Sequence, residues 1–519
     1  MQKNALISVT DKSGIVELAR AMADAGFTLY STGGTAGVLQ EAGLAVESIS
    51  GLTGFPEIFS GRVKTLHPKV FGGILARQDL AQDQEEAQEH GIPFFDLVVV
   101  NLYRFAEAVA DENIAVDEAI EQIDIGGVSL IRAAAKNFRY VTVVTSPEFY
   151  PEVIESVQQN DGATTPELRQ KLAAAAFAAT ATYDALISQY FARITPQPEG
   201  QPQHRVMVLD RVQSLRYGEN PHQSAALYRD AAMLKRPALV DAEQMQGKAL
   251  SYNNYMDADA AFQIARSFER PAAVIIKHAN PCGVACADTL EAAYRDALAT
   301  DSISAFGGIV SFNRSVDAAA AREVVKIFTE VVIAPDISDE ALEIFATKKN
   351  LRVLKTAAFS APVTIEPEYR CVDGGILVQD KDLQAEDDTT FEIVTRRKPS
   401  DEEWRGLLFA WTVVRWVKSN AVLFARGERT LGIGAGQMSR VDSSRIAVEK
   451  AQIAGLDLHG SVVASDAFFP FADGVITVAE AGATAIIQPG GSVRDEEVIE
   501  AANERNMTML FTHRRHFRH

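Results

Sequence analysis

Hydrophobic and polar positions along the first third of the chain switch between two periods. Ala5 to Val9 is a short apolar run fit for a buried strand, and Ile15, Leu18, Ala19 and Met22 then recur at helical spacing up to the break at Gly26. Thr28 to Ser31 reads as a second strand, followed by the turn Thr32-Gly33-Gly34-Thr35 and another helix. Asp96 to Asn101 (DLVVVN) and Tyr140 to Val144 are strand-like, with the helical run Ser129 to Asn137 between them. Alternation of this kind predicts an α/β segment, a parallel sheet covered by helices. A helical pattern from Pro166 to Tyr190 closes it. The most apolar stretch of the chain, Leu172 to Ala179, is expected within that helix and buried.

Where the pattern fails, boundaries are expected. Thr195 to Arg205 (TPQPEGQPQHR) sets three prolines and a glycine among polar residues, as linkers do. It divides the chain into expected domains 1–196 and 205–519. The second domain again alternates strand and helix, and poor periodicity from Phe359 to Asp387 predicts a break between two lobes. No clean short-period repeat and no low-complexity tract is visible.

Composition narrows the partners. The 519 residues carry 50 basic and 69 acidic side chains, a net charge of −19. An acidic balance argues against a nucleic-acid binder, which needs clustered Lys and Arg, but leaves room for small phosphorylated substrates at a local positive site. With 47% hydrophobic and 23% charged residues the chain reads as a soluble multidomain protein. Cys282, Cys286 and Cys371 are too few for a disulfide framework and fit a reducing compartment. The opening MQKNALISVTDKSG lacks the apolar core of a signal peptide, and no run approaches the roughly 18 apolar residues of a membrane span. The cytoplasm is the expected location.

Several short strings carry candidate chemistry, each beside a plainer reading. Gly33 and Gly34, at a strand-to-helix turn, let backbone N–H groups approach a phosphate, or simply make a tight turn. Arg62 to Pro68 (RVKTLHP) adds two cations in a loop that also reads as solvated. Arg132 and Lys136 share one helical face, able to meet an anion or only water. Lys277-His278-Ala279-Asn280-Pro281-Cys282-Gly283 follows the apolar strand Ala272 to Ile276. A Lys–His pair at a strand's end suits acid–base work, since the ammonium favours a neutral neighbouring imidazole and stabilises developing negative charge. Zinc deaminases need H-x-E with P-C-x-x-C. Here Asn280 stands two after His278 and the spacing from Cys282 to Cys286 is one too long, so no metal is expected. Gly432-Ile433-Gly434-Ala435-Gly436 lacks the spacing of a dinucleotide loop. The closing His513 to His519 (HRRHFRH) reads as a frayed tail or as a phosphate clamp.

Together these strings go further. RVKTLHP, DIGG and RAAAKN, then LRYGENPHQ, LSYNN, KHANPCGVA, SAFGGIV, VKSNA, GIGAGQMSR, DAFFPF, QPGGS and RHFRH, run in order from Ser8 to His519. They resemble the bifunctional purine-biosynthesis family that couples phosphoribosylaminoimidazolecarboxamide (AICAR) formyltransferase to IMP cyclohydrolase. The resemblance implies a methylglyoxal-synthase-like N-terminal domain and a C-terminal transformylase of two cytidine-deaminase-like lobes without zinc. It implies a homodimer with transformylase sites at the subunit interface, and 10-formyltetrahydrofolate as the reduced-folate co-substrate. AICAR, its formylated form and IMP are the other ligands.

The resemblance also implies residue roles. In the transformylase, His278 takes the proton of the attacking amine, Lys277 stabilises the transition state, and Asn420 orients substrate. Arg216, Tyr217, Gly307, Glu330, Arg440, Phe468, Asp473 and Arg515 match AICAR-binding positions. Val441, Ser492 and Val493 match folate-binding ones. In the cyclohydrolase, Thr10, Asp11, Lys12, Thr32, Gly33, Gly34, Thr35, Arg62, Lys64, Thr65, Val100, Asn101, Asp124 and Ile125 match nucleotide-binding positions. Lys136 matches the proton donor/acceptor, and Lys64, Tyr103 and Asp124 surround the reacting atoms. The chain departs from the family at Phe71 and Phe138, where histidine is usual, and at Arg104 and Val128, where proline is. Two apolar rings at the histidine positions are able to pack against each other, which would compensate the change. The alternative implied by these departures is a transformylase with an inactive or nucleotide-sensing first domain. Retention of Lys64, Tyr103, Asp124 and Lys136 favours catalysis.

Overall fold

Short runs without a polar break become the middle of the first sheet. The computed structural model describes residues 2–103, 105–111, 114–195, 202–231, 238–357, 366–383 and 387–519. Arg104 and much of the expected linker, 196–201, lie outside the described residues. The strands are β1 (Lys3–Ser8), β2 (Phe27–Ser31), β3 (Val46–Ser48), β4 (Leu97–Val100) and β5 (Thr142–Val144). They pair in parallel in the order β3-β2-β1-β4-β5. All four residues of β4 are buried, as a strand covered on both faces requires. The order reverses between β1 and β4, which opens a crevice beyond their C-terminal ends.

Helices α1 (Ile15–Asp24) and α2 (Gly33–Glu41) follow the first two strands. The two glycines read as a turn are the first residues of α2, with Thr32 as its N-cap. The long helix Pro166–Ile194 buries Leu168, Leu172, Ala173 and Ala176, but leaves Phe177, Phe191 and Ile194 exposed. The alanine-rich stretch is thus half-buried, against the expectation of full burial. Alanine carries high helix propensity with little apolar area, so the hydropathy of such a stretch overstates its burial.

The chain divides into two compact units. The first reaches Asp210 and takes in a short return around Asp230; the second holds the rest to His519. The second unit has one 12-stranded sheet. One half runs outward through Asn280–Cys286, Ala272–Lys277, Gly308–Phe312, Thr329–Ala334 and Arg352–Lys355. The other runs outward through Arg429–Gly434, Val422–Arg426, Val462–Ser465, Ala485–Gln488 and Thr508–Phe511. Each half has the same order of elements: a helix, an antiparallel hairpin, then three helix–strand repeats. This duplication was not visible as a sequence repeat.

The halves meet along Asn280–Cys286 and Arg429–Gly434. Cys286 N–H donates to Glu428 O (2.8 Å), Val284 N–H donates to Thr430 Oγ1 (3.0 Å), and Thr300 Oγ1 donates to Thr430 O (2.7 Å). The two lobes therefore share a sheet and are not separate bodies. The stretch of poor periodicity holds a hairpin, Pro367–Val372 with Gly375–Asp380, while 358–365 and 384–386 lie outside the described residues. A Cβ at Gly434 would lie 1.8 Å from Ser443 O, and one at Gly283 would lie 1.9 Å from Ala297 O. Both glycines let a helix rest on strand backbone, which explains GIGAG without a dinucleotide. Among the described residues, no helix is long and apolar enough to cross a membrane.

Candidate active sites

The crevice of the first sheet holds a cavity of about 860 Å³. Loops after β1, β2 and β4 contribute Thr10, Lys12, Thr32 to Thr35, Val100, Asn101 and Tyr103 to its walls. Arg62, Lys64, Thr65, Asp124 and Ile125 complete the rim. Two helix N-termini, that of α2 and that of Gly126–Lys136, open into the same space. The positive ends of these helices and the lysines make a site for an anion. Lys64 Nζ lies 3.4 Å from where a Cβ on Gly33 would stand, and 3.5 Å from the Glu57 carboxylate. Arg62 is paired with Glu121 and largely exposed.

Two of the matched polar residues spend their side chains on the walls. Asn101 Oδ1 accepts the N–H groups of Thr10 (2.6 Å) and Asp11 (3.0 Å), and its amide donates to Asp11 O (2.9 Å). Thr35 Oγ1 accepts from Val9 N–H and donates to Val9 O. They fix the shape of the loop after β1. Burial raises the Asp124 carboxyl above its ordinary range, against the Gly127 N–H that donates to it at 2.7 Å. A carboxyl raised in this way holds a proton more readily than an exposed one, which suits proton exchange.

Tyr183, which no motif pointed to, braces this corner. Its hydroxyl accepts the Asp124 N–H (2.8 Å) and donates to Gln122 O (2.9 Å), with its phenol pushed up to about 12 by burial. Asp11 and Lys136 do not line the cavity. Lys136 ends its helix, about 15 Å along the axis from Gly126, while Arg132 of the same face lies over the Phe177 ring. Phe71 packs into the core, Phe138 is exposed, and among the described residues no ring contact joins them. The two rings do not compensate each other by packing, because one lies against the core and the other faces solvent. Val128 packs beneath the long helix with Phe105 and Tyr183.

In the second unit Lys277 ends its strand and pairs with Asn280 across a two-residue hairpin turn, His278-Ala279. His278 (φ 53°) and Ala279 (φ 57°) are both left-handed. Lys277 Nζ donates to Gly307 O (2.9 Å), which joins two of the matched positions directly. Asn280 Oδ1 accepts Lys418 N–H (3.1 Å), which brings the turn to the VKSNA segment. The Asn420 amide donates to Gln437 O (2.9 Å) and Met438 O (3.3 Å), and its oxygen accepts from Arg440 (2.8 Å). Arg440 is buried and also donates to Ala421 O, Ser465 Oγ and the fully buried Asp466. Asp466, the first residue of DAFFPF, takes a second bond from Ser419 Oγ, a role the motif did not assign to it.

The remaining matched residues have the following surroundings. Glu330 accepts from Asn254 (3.1 Å) and Arg352 (3.2 Å). Arg216 lies over the Tyr217 ring, and Arg515 over the Phe517 ring. Phe468 is half-buried, and Asp473 sits in the first turn of Ala472–Glu480. Arg494 stacks on Phe471, which draws the Ser492–Val493 loop toward that helix start. Val441 is half-buried in the first turn of Arg440–Ile453. Cys282 and Cys286 are buried, each thiol pushed up to about 12 by burial, and read as packing residues. Among the described residues, no group of three or more His, Cys, Asp or Glu is arranged to hold a metal.

Comparison with known proteins adds two family matches: the MGS-like domain over residues 14–129 and the AICARFT/IMPCHase bienzyme over residues 134–450. A bifunctional purine biosynthesis protein PurH from Magnetococcus marinus is 52% identical over 528 residues, covering 100% of this chain and 99% of that protein. One of the same description from Bradyrhizobium diazoefficiens is 53% identical over 526 residues, covering 99% and 98%. Another, from Roseobacter denitrificans, is 53% identical over 527 residues, covering 100% and 99%.

Proposed function

The chain belongs to the AICARFT/IMPCHase bienzyme family and carries its two activities, AICAR formyltransferase and IMP cyclohydrolase, and on that premise we propose where each step is done. Ring closure is placed in domain 1–196, at the cavity beyond β1 and β4, and formyl transfer in domain 205–519, around the Lys277–His278 turn.

The observation that carries the first assignment is the convergence of two helix N-termini, Lys64, Tyr103 and Asp124 on one cavity. The helix starts and Lys12 take the ribose phosphate. The carboxamide nitrogen of formylated AICAR attacks the formyl carbon and gives up one proton as the formyl oxygen gains one; that hydroxyl then takes a second proton and leaves as water while the formamido nitrogen loses its N–H proton and forms the new C=N bond. Asp124, its carboxyl raised by burial, and Lys64 exchange those protons; no external cofactor is needed. Lys136 is the proton donor/acceptor by resemblance, yet it stands outside the cavity.

In the second domain His278 takes the proton of the 5-amino group as that nitrogen attacks the formyl carbon of 10-formyltetrahydrofolate. Lys277 stabilises the charge that develops on the formyl oxygen or the leaving nitrogen. The Asn420 oxygen, already bonded to Arg440, keeps a second lone pair for substrate. Val441, Ser492 and Val493 face the folate, and Arg216, Tyr217, Gly307, Glu330, Phe468, Asp473 and Arg515 face AICAR. Homodimerisation at this face is supported by apolar side chains left in water beside it: Met438 and Val493 are wholly exposed, Phe306 is largely so and Phe328 nearly half so. An acidic chain with unpaired cysteines suits the cytoplasm. No observation favours a silent or nucleotide-sensing first domain.

Supplying formylated AICAR directly, with no folate present, tests the first assignment. IMP is expected to form despite Phe71 and Phe138, since neither lines the cavity; no IMP above the uncatalysed background would overturn the placement. In the same assay Lys64→Ala is expected to cost about 10²-fold, the scale of a lost proton-transfer group, and Lys136→Ala clearly less. The reverse ranking would return the shuttle to Lys136.

A further inference from the structure

The hairpin turn that presents His278 is built against the preferences of its own residues. A two-residue turn with positive φ at both central positions normally takes Asn-Gly or Gly-Gly, because a Cβ is disfavoured there. Here the pair is His278-Ala279, with φ 53° and 57°. The duplicated half offers a direct comparison. Its turn, between Arg426 and Arg429, puts a positive φ at one central residue only, and that residue is a glycine, Gly427 at 55°. Something other than local propensity therefore holds the His278 turn in shape.

That something is on the helix Tyr252–Ala265. The Asp257 carboxylate accepts both N–H groups of the turn, that of His278 on Oδ2 (3.2 Å) and that of Ala279 on Oδ1 (2.7 Å). One carboxylate thus takes the two donors that the left-handed conformation turns to the same side. Three residues earlier on the helix, Asn254 closes a capping box with Ser251 and donates to Glu330 (3.1 Å). The helix start is therefore tied to one of the residues facing AICAR, while Asp257 grips the turn.

We propose that Asp257 is a positioning residue for formyl transfer: its carboxylate fixes the left-handed His278-Ala279 turn and so aims the imidazole at the amine. This rests on His278 being the proton acceptor. The carboxylate touches neither substrate nor a reacting atom in this account; it acts only through the turn. Asparagine cannot replace it fully, because an amide offers one acceptor and would point an N–H at the other donor.

The test compares four full-length variants in formyl transfer, with ring closure of supplied formylated AICAR as the internal control. Asp257→Ala is expected to lower kcat about 10²-fold, the scale of a misplaced catalytic group, with KM for AICAR within about threefold of the parent and ring closure unchanged. Asp257→Asn falls between. Adding Ala279→Gly, which accepts the left-handed conformation at no steric cost, should restore about tenfold of the loss; a general folding defect would not be repaired at that position. His278→Ala separates the two readings. If it transfers formyl normally, the proton-acceptor assignment is wrong and the role of Asp257 falls with it. If His278→Ala is inactive but Asp257→Ala keeps parental kcat, or Ala279→Gly restores nothing, the positioning role alone is overturned. Should Asp257→Ala not fold, Asp257→Asn with and without Ala279→Gly gives the same decision.

Discussion

His278→Ala is expected to lower formyl transfer by about 10²–10⁴-fold, the usual worth of a positioned acid–base group, while ring closure proceeds at the parental rate. The 5-amino group of AICAR is a weak nucleophile because its lone pair is conjugated toward the carboxamide. Attack without removal of its proton would build a cationic nitrogen at a carbon that is already a stable formamide. The imidazole relieves that charge as it forms. His278 is exposed at the tip of its turn, so truncation leaves no cavity in the core and the fold should be unaffected. The measurement follows AICAR, the formylated intermediate and IMP in one reaction. Loss of the intermediate from AICAR with normal conversion of supplied intermediate is the expected outcome. Near-normal formylation by His278→Ala would remove the assignment.

The second large effect concerns the last seven residues. Deleting His513 to His519 is expected to abolish formyl transfer and to destabilise the second unit, where Arg515→Ala should only raise KM for AICAR, by about tenfold or more. The stretch is no frayed tail. His516 is fully buried, paired with Asp382 and packed at a tilt against Trp411, 5.0 Å between ring centroids. Its N–H donates to Asp466 O (3.0 Å), and Arg518 O accepts Ser419 N–H (2.8 Å). Removing the stretch strips partners from groups on either side of Asn420 and uncovers Trp411. Each buried polar group left unpaired costs about 1–3 kcal/mol, so thermal unfolding of the truncated chain should begin several degrees lower. A truncated chain with parental kcat and unfolding temperature would show that the stretch serves only to bind substrate.

Much of the first sheet could be read from the chain because its strands are short apolar runs set off by helical spacing. β3 could not: Val46-Glu47-Ser48 is half-buried to exposed and too short to show a period. The duplicated halves of the second unit escaped notice for a different reason. They share an order of elements and not a set of residues, as His278-Ala279 against Gly427-Glu428 illustrates. In the sites, the residues on glycine loops and in long motifs were legible. Tyr183 and Asp257 were not, because each acts on backbone N–H groups, 59 and 21 residues away, and a backbone donor leaves no mark in the sequence. Arg440 and Asn420 were matched to substrate, yet much of their bonding is to each other and to Asp466, which only packing reveals.

The joint between the duplicated halves limits how this chain can be divided. Strands Asn280–Cys286 and Arg429–Gly434 lie in the interior of the large sheet, and its outer edges are the short strands Glu243–Gln246 and Glu392–Ile393. A cut in the connecting hairpin region would leave two fragments, each with a long, mostly buried strand newly unpaired on one side. Bare edges of that kind are templates for aggregation, so such fragments would be sticky as well as inactive. The first sheet, by contrast, shares no strand with the second. The two activities can therefore be separated onto different polypeptides without baring a sheet, whereas the transformylase, double in its architecture, is indivisible in practice.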